Sequence, residues 1–530
     1  MTTSQFDFVV IGAGTAGCTL AARLSAPGHR VLLLEAGGEA RSLWVRIPVG
    51  YAKLLGDPKY NWVYRTEPEP ALGGRVLDVP CGRTIGGTGA INGMIYIRGH
   101  PADYDGWRDA GNDGWGFDDV LPWFKRSESN IRGESAYHGA EGPMAVSDPQ
   151  PDTLSRAFVD AAAEAGLPRN DDFNGATQEG AGFYQLNARN GTRASSADGY
   201  LRQARLRRNL VVKTDTLVHR IVFDGTTASA VEYVHRGRVS RANAGEIVLA
   251  AGAFNSPQLL LRSGVGPAAQ LCRHDIPVVA DLPGVGENLH NHYRASVVVR
   301  CLPGLALNDL MRSVAARARA GLVYALTRRG PLATGTSAGG FFRVRDAESR
   351  PNLQVTFWNY SVETRDSRGL KLHAFPAYTA NAVVLRPESR GTLRLASCNP
   401  AVAPLIRYNF LEDAEDAKTI AAGIALVRRI ASMPSLARLS GVEVAPGIET
   451  VGENALIDYA RVHGNSVYHP VGTCRMGVDE LAVVDPRLRV HGVQRLSVAD
   501  ASVMPNIIAG NTNAPTLMIA ERAAAWLDGG

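Results

Sequence analysis

The chain has 530 residues, 45% of them apolar and 20% charged, which suits a globular protein of two or three domains. Its net charge is only +5 and its arginines are scattered without a long basic block or basic-aromatic interleaving, which excludes a nucleic-acid footprint. No stretch reaches the ~18 apolar residues of a membrane span, and the six cysteines (Cys18, Cys81, Cys272, Cys301, Cys398, Cys474) form no CxxC pair, which argues against a disulfide scaffold and a zinc site.

An apolar strand begins by Phe6, leaving no room for a signal peptide, so the expected location is the cytoplasm and the Asn190-Gly191-Thr192 triplet is a chance match to a glycosylation site. Phe8 to Ile11 reads as a buried parallel strand, and Thr15 to Leu24 repeats apolar residues at helical spacing. Between them Gly12, Gly14 and Gly17 form G-x-G-x-x-G, a cradle that lets a pyrophosphate approach a helix N-terminus. A second apolar strand ends in Glu35, where a carboxylate accepts bonds from the adenosine ribose. This strand–cradle–helix–strand order predicts a dinucleotide site without separating NAD from FAD.

Two further glycine-rich stretches follow. Cys81 to Asp105 begins with no helical or strand period, as expected of a loop that brings backbone close to a ligand. In Glu246 to Gly266, Ile247 to Ala251 reads as a buried strand, Ser256 as an N-cap before Pro257, and Leu259 to Arg262 as helix closed by Gly264. A strand thus returns to the nucleotide domain far along the chain. His290 and His292 form an H-x-H without an evident third ligand, so no metal is expected. From about 306 to 455, segments such as "PNLQVTFWNYS" and "AVVLRPESRGTLRLAS" read as strands joined by turns. Near the C-terminus, "NSVYHPVGTCRMG" holds His469, Leu496 to Ala499 reads as a short strand, and Pro515 opens a helix running to Leu527, with Asn513 suited to its N-cap.

The second and third glycine stretches resemble the two signature motifs of the glucose–methanol–choline (GMC) oxidoreductases, the first on Gly82-Arg83, Ile85 to Gly89, Ile91-Asn92, Tyr96 and Asp105, the second on Gly252-Ala253, Ser256-Pro257, Leu259-Leu260 and Ser263 to Gly266. With the N-terminal cradle and the C-terminal "HP-x-GT" segment, the resemblance covers essentially the whole chain. It implies an α/β fold (α+β overall): a Rossmann-like FAD-binding domain assembled from residues 1–155, 210–305 and 456–530, and a substrate domain with a mostly antiparallel sheet flanked by helices from 156–209 and 306–455. Implied FAD contacts are Gly12, Gly14, Thr15, Ala16, Glu35, Ala36, Trp62, Arg83, Gly87, Thr88, Asn92, Gly93, Met94, Ile95, Val218, Ala251, Asp500, Ala501 and Thr516. Some members tether FAD through a histidine aligned here with Ile91, so non-covalent FAD is expected. His469 matches the family's active-site histidine, and Asn513 falls at the position the resemblance gives to the second catalytic residue.

The chemistry this implies is removal of an alcohol's hydroxyl proton by His469, hydride transfer to flavin N5, and reoxidation by O2, a quinone or another acceptor. Phe357, Trp358 and Tyr468 are candidates to line the substrate pocket. Ser337 replaces the glutamate that choline-oxidising relatives use against a quaternary ammonium, which favours a neutral primary alcohol, aromatic or furanic in skeleton, over choline. Hydroxynitrile cleavage on the same scaffold is the rival without net redox change.

Overall fold

The computed structural model describes residues 5–333, 335–345, 348–366 and 369–529. Two seven-stranded sheets organise the chain. In the first, the buried run Gln5–Ile11 lies parallel to Val31–Leu34 on one side and to Arg238–Leu249 on the other, pairing Phe8 with Val31 and Ile11 with Leu249. Leu210–Lys213 extends the parallel part beyond Val31–Leu34. Both faces of these strands are covered, which is why they read as continuous apolar runs rather than alternating ones. The long Arg238–Leu249 strand changes partners along its length. Its first half pairs antiparallel with Thr227–His235, which pairs onward with Thr216–Asp224, and its end takes Leu496–Val498 in parallel. Segments nearly 490 residues apart in sequence therefore close one sheet.

The second sheet is antiparallel, in the order Ser440–Ala445, Tyr293–Cys301, Ala377–Val384, Leu353–Trp358, Ala338–Phe342, Gly180–Phe183, with Asn465–Ser466 against the start of Tyr293–Cys301. Tyr293–Cys301 and Asn465–Ser466 were expected in the nucleotide domain, yet both belong to this sheet. One face packs on the helices Thr153–Glu164 and Ala414–Ala431: Phe158 stacks on Phe357 at 4.8 Å, and a Cβ on Gly423 would meet the Leu353 side chain at 2.5 Å. The other face roofs a cavity. Alternation decides the sides, so Arg294, Ser296 and Val298 face the cavity while Ala295, Val297 and Val299 face the other way.

Several boundaries differ from the sequence reading. The third glycine stretch is helical from Gly252 to Arg262, so Ser256 lies inside the helix and is no N-cap; its hydroxyl donates to Asp500 at 2.6 Å. The last helix begins at Asn513, with Thr512 in the capping position.

Candidate active site

The two sheets enclose a cavity of about 630 Å³, within the range of small-molecule and cofactor pockets. Its nucleotide end is the N-terminal cradle. Gly12 is in the left-handed region, where a Cβ would strike the Ala250 carbonyl at 2.6 Å, and a Cβ on Gly17 would lie 1.7 Å from the Gly12 carbonyl. These two glycines are required by the protein's own packing. Gly14 differs: a Cβ there would meet nothing nearer than 3.9 Å, so the room it leaves is available to a ligand. The Thr15–Leu24 helix starts at this point, offering free N–H groups to an anion. Glu35 sits at the cavity wall, its two oxygens accepting from Ala13 N and Gly37 N at 2.8 Å each, and burial pushes its carboxyl up to about 7 against those N–H groups.

Of the expected cofactor contacts, all but Arg83 line the cavity. The Arg83 guanidinium lies 4.8 Å over the Trp62 ring instead, and so fixes a residue that does line it. The loop carrying Asn92 is clamped by buried Arg193, which the sequence reading missed; it donates to Asn92 Oδ1 at 2.8 Å and to the Asn92 carbonyl at 2.7 Å. Asp500 accepts from Gly252 N and the Ser256 and Ser502 hydroxyls, tying the second signature motif to the C-terminal segment.

His469 lies in the same cavity and is buried. Its backbone N–H donates to Asn291 Oδ1 at 2.8 Å, and Asn291 in turn donates to Ser466 Oγ. Tyr468, just before it, holds φ 66, a left-handed conformation that a bulky residue adopts only under constraint. The side chain has two contacts: Nδ1 is 2.9 Å from His292 Nδ1, and Nε2 is 3.0 Å from Asn511 Nδ2. The far nitrogen of His292, Nε2, is 3.0 Å from the Leu385 carbonyl, which can only accept. His292 therefore carries its proton on Nε2, and burial holds its pKa down at about 4, so it is neutral. Its Nδ1 lone pair must accept, and the proton between the two rings belongs to His469 Nδ1. His469 Nε2 is thus left with a lone pair, directed at the Asn511 amide. Burial first, and His292 second, hold the His469 pKa well below 6.5, so this lone pair is free of a proton at neutral pH. The H-x-H pair is thereby accounted for: His290 bridges the Asn288 carbonyl (2.6 Å) and Ile507 N (2.8 Å), and His292 faces His469.

Two expected pocket residues, Ser337 and Phe357, lie outside the cavity, and Asn513 lies in its wall with its amide engaged by protein. Asn513 lines the cavity, but its amide accepts from Thr15 Oγ1 at 2.8 Å and donates to Asn187 Oδ1 at 3.1 Å. The group against His469 is Asn511, two residues earlier, on the loop before the helix. Asn511 Oδ1 accepts from Gln354 Nε2 at 3.4 Å, which turns the amide nitrogen toward the histidine. Ser337 does not line the cavity; it is buried with its hydroxyl 2.9 Å from Ser155 Oγ. Phe357 faces the helices, because strand alternation gives the cavity to Thr356 and Trp358. Trp358 and Tyr468 do line it, together with Tyr51 and Tyr360, which join their hydroxyls in a hydrogen bond. Trp358 and Tyr360 stack at 5.3 Å, and the Arg294 guanidinium lies 4.9 Å over Trp358.

Comparison with known proteins adds the family. The GMC oxidoreductase family models match residues 6–294 and 387–520. The chain belongs to the GMC oxidoreductases. It is similar to an alcohol dehydrogenase [acceptor] of Pseudomonas putida, 42% identical over 98% of this chain and 95% of that one. It is also similar to an oxygen-dependent choline dehydrogenase of Pseudomonas savastanoi pv. phaseolicola, 41% identical over 100% and 94%. Among solved structures, pyridoxine 4-oxidase from Mesorbium loti superposes with a TM-score of 0.89 at 32% identity, covering 99% of each chain. This GMC oxidoreductase acts on CH–OH donors, and its cofactor is FAD, for which the glycine cradle and Glu35 are suited. Ile91 at the cavity wall offers no nucleophile for a tether, so the FAD is held non-covalently.

Proposed function

We propose that this oxidoreductase converts a neutral primary alcohol, aromatic or furanic in skeleton, to the aldehyde, with His469 as the base and Asn511 as its hydrogen-bonding partner. The observation that carries this is the unprotonated His469 Nε2, fixed in the cavity against the Asn511 amide. An alcohol hydroxyl that takes the place of the Asn511 N–H at His469 Nε2 gives its proton to that nitrogen while its oxygen accepts from Asn511 Nδ2. Asn511 then holds the oxygen as negative charge develops on it, a contribution worth about 10²–10³ in rate by comparison with oxyanion donors. Bound FAD supplies the hydride acceptor, with O2 or a quinone as the final acceptor. The residues proposed to hold it are those of the cavity wall from Gly12 to Ala36 and Gly87 to Ile95, with Trp62, Val218, Ala251, Asp500, Ala501 and Thr516.

The wall of Tyr51, Trp358, Tyr360 and Tyr468 supports a flat, apolar substrate. Similarity to choline dehydrogenases favours a second reading, choline itself. Against it, the Arg294 guanidinium already occupies the Trp358 ring face that a quaternary ammonium would use, and Glu363 at the rim is engaged by Lys371 at 2.8 Å.

The test is a panel of alcohols with purified holoenzyme, following flavin bleaching anaerobically and peroxide or dye reduction in air. Aromatic alcohols should reduce the flavin and choline should not. His469→Ala should retain bound FAD and lose most of this reduction; wild-type reduction in that variant removes His469 as the base. Alcohol consumption without any bleaching would point to lyase chemistry.

A further inference from the structure

The helix Val314–Thr327 stands almost free of the protein. Of its 14 residues only Ala320 and Tyr324 are buried. Tyr324 anchors it in a small apolar cluster with Ile47 and Ala333, and donates its hydroxyl to the Gly191 carbonyl at 3.0 Å. Val314 and Leu326 are 71% and 75% exposed, and Leu322 and Val323 are exposed beside them. Arg312, Arg317, Arg319, Arg328 and Arg329 belong to the same stretch, and from Leu310 to Arg345 the sequence contains no Asp or Glu. A second short helix, Leu43–Arg46, adjoins it. Its Val45 carbonyl accepts from Arg193, two residues beyond Gly191, and Arg46 lies close enough to Tyr324 to act on it electrostatically. That helix adds exposed Leu43 and Trp44.

A surface that joins exposed leucines and a tryptophan to arginines with no acidic residue in their own stretch costs solubility if left in water, and such patches mark contact sites. The charge decides between occupants. A second copy meeting this face through a twofold axis would set five arginines against five with no intervening carboxylate from this stretch. An anionic lipid surface offers both what the arginines need and what the leucines need. We propose that this face docks on an anionic phospholipid bilayer, with Val314–Thr327 lying in the plane of the membrane, its leucines and valines among the acyl chains and its arginines at the headgroups. No described helix is long and apolar enough to cross a membrane, and the contact proposed here is a peripheral one. Both docking elements lead directly into the cavity wall, through Tyr51 and Leu55 after the first helix and Thr336 after the second. Docking therefore turns one rim of the cavity toward the bilayer, the phase that dissolves apolar alcohols and acceptors.

This inference goes beyond the alcohol reaction and is read without it. Holoenzyme is sedimented with sucrose-loaded vesicles of phosphatidylcholine alone or mixed with phosphatidylglycerol, at low and high salt. Binding should be at least tenfold stronger to the phosphatidylglycerol vesicles and should fall with salt. The double variants Leu322→Ser/Leu326→Ser and Arg317→Glu/Arg319→Glu should each lose at least tenfold in binding while keeping the flavin spectrum and turnover with a soluble acceptor. Absence of binding to anionic vesicles, or binding unchanged in both variants, overturns the proposal. So does size-exclusion evidence that the wild type is a dimer which the leucine variant dissolves, since the patch is then a contact between copies.

Discussion

Replacing His292 with phenylalanine keeps a flat ring in a buried site but removes the acceptor for His469 Nδ1–H. That N–H is enclosed in protein, so leaving it unsatisfied costs about 1–3 kcal/mol. The alternative open to the ring is to move its proton to Nε2, which satisfies the Asn511 side by an amide flip and eliminates the base. Either way the competent state becomes minor. At 1.36 kcal/mol per factor of ten, a loss of about 1–3 kcal/mol lowers the rate constant for flavin reduction roughly 5- to 150-fold. His292→Gln should recover most of it, because a glutamine amide can accept from His469 with its oxygen and donate to the Leu385 carbonyl with its nitrogen, as the imidazole does. The assay is anaerobic stopped-flow bleaching of the flavin at saturating alcohol, with FAD content and thermal midpoint measured on each variant. Wild-type reduction in His292→Phe, or a glutamine variant as slow as the phenylalanine one at equal FAD content, refutes the tautomer argument.

Four other outcomes are expected. Asn511→Ala should lower kcat about 10²–10³-fold, whereas Asn513→Ala, which loses its bonds to Thr15 and Asn187, should act on stability and FAD retention with kcat of the loaded enzyme nearly unchanged; steady-state kinetics on FAD-saturated protein separates them. Because His469 is held well below 6.5, kcat/KM should stay flat as the pH falls through 6.5 and drop only at lower values, and a profile with its midpoint at 6.5 or above contradicts the burial argument. His290 at about 3 and His292 at about 4 work in the same direction on stability. They are neutral when folded and gain protons when unfolded below about 6.5, so melting temperature should fall as the pH is lowered from there toward 3. Finally, Gly17→Ala, with a Cβ 1.7 Å from the Gly12 carbonyl, should disrupt the fold, whereas Gly14→Ala should yield folded protein with weakened FAD binding; equal behaviour of the two in circular dichroism and FAD titration counts against the cradle's division of labour.

The nucleotide half was legible because its signals are local. A glycine cradle, the apolar run before it and the carboxylate after the next strand sit within about thirty residues, and each has one conformational meaning. The substrate half was less legible because its side chains are sorted by strand register, and one residue's shift exchanges the two faces of a sheet. Phe357 and Trp358 are neighbours in sequence and opposite in space, and nothing in "VTFWNY" says which looks into the cavity. The same holds for Asn511 and Asn513. Both are asparagines near one helix start, and only the loop's path past Gln354 selects the first. Arg193 and Arg294 carried no pattern at all, since a clamp on a loop needs only reach. The H-x-H was visible as a pattern, but nothing in it told that its two rings diverge to unrelated partners.

The pairing of Gln5–Ile11 with Arg238–Leu249 also bears on how the chain is made. At about 5–20 residues per second of synthesis, the first strand waits roughly ten to fifty seconds for that neighbour. Its sheet then waits again for Leu496–Val498. Until Arg238–Leu249 emerges, Gln5–Ile11 has Val31–Leu34 on one side and an open, apolar edge on the other. The last turns to emerge bring His469 and Asn511, so a truncated product holds much of the cradle and none of the chemistry.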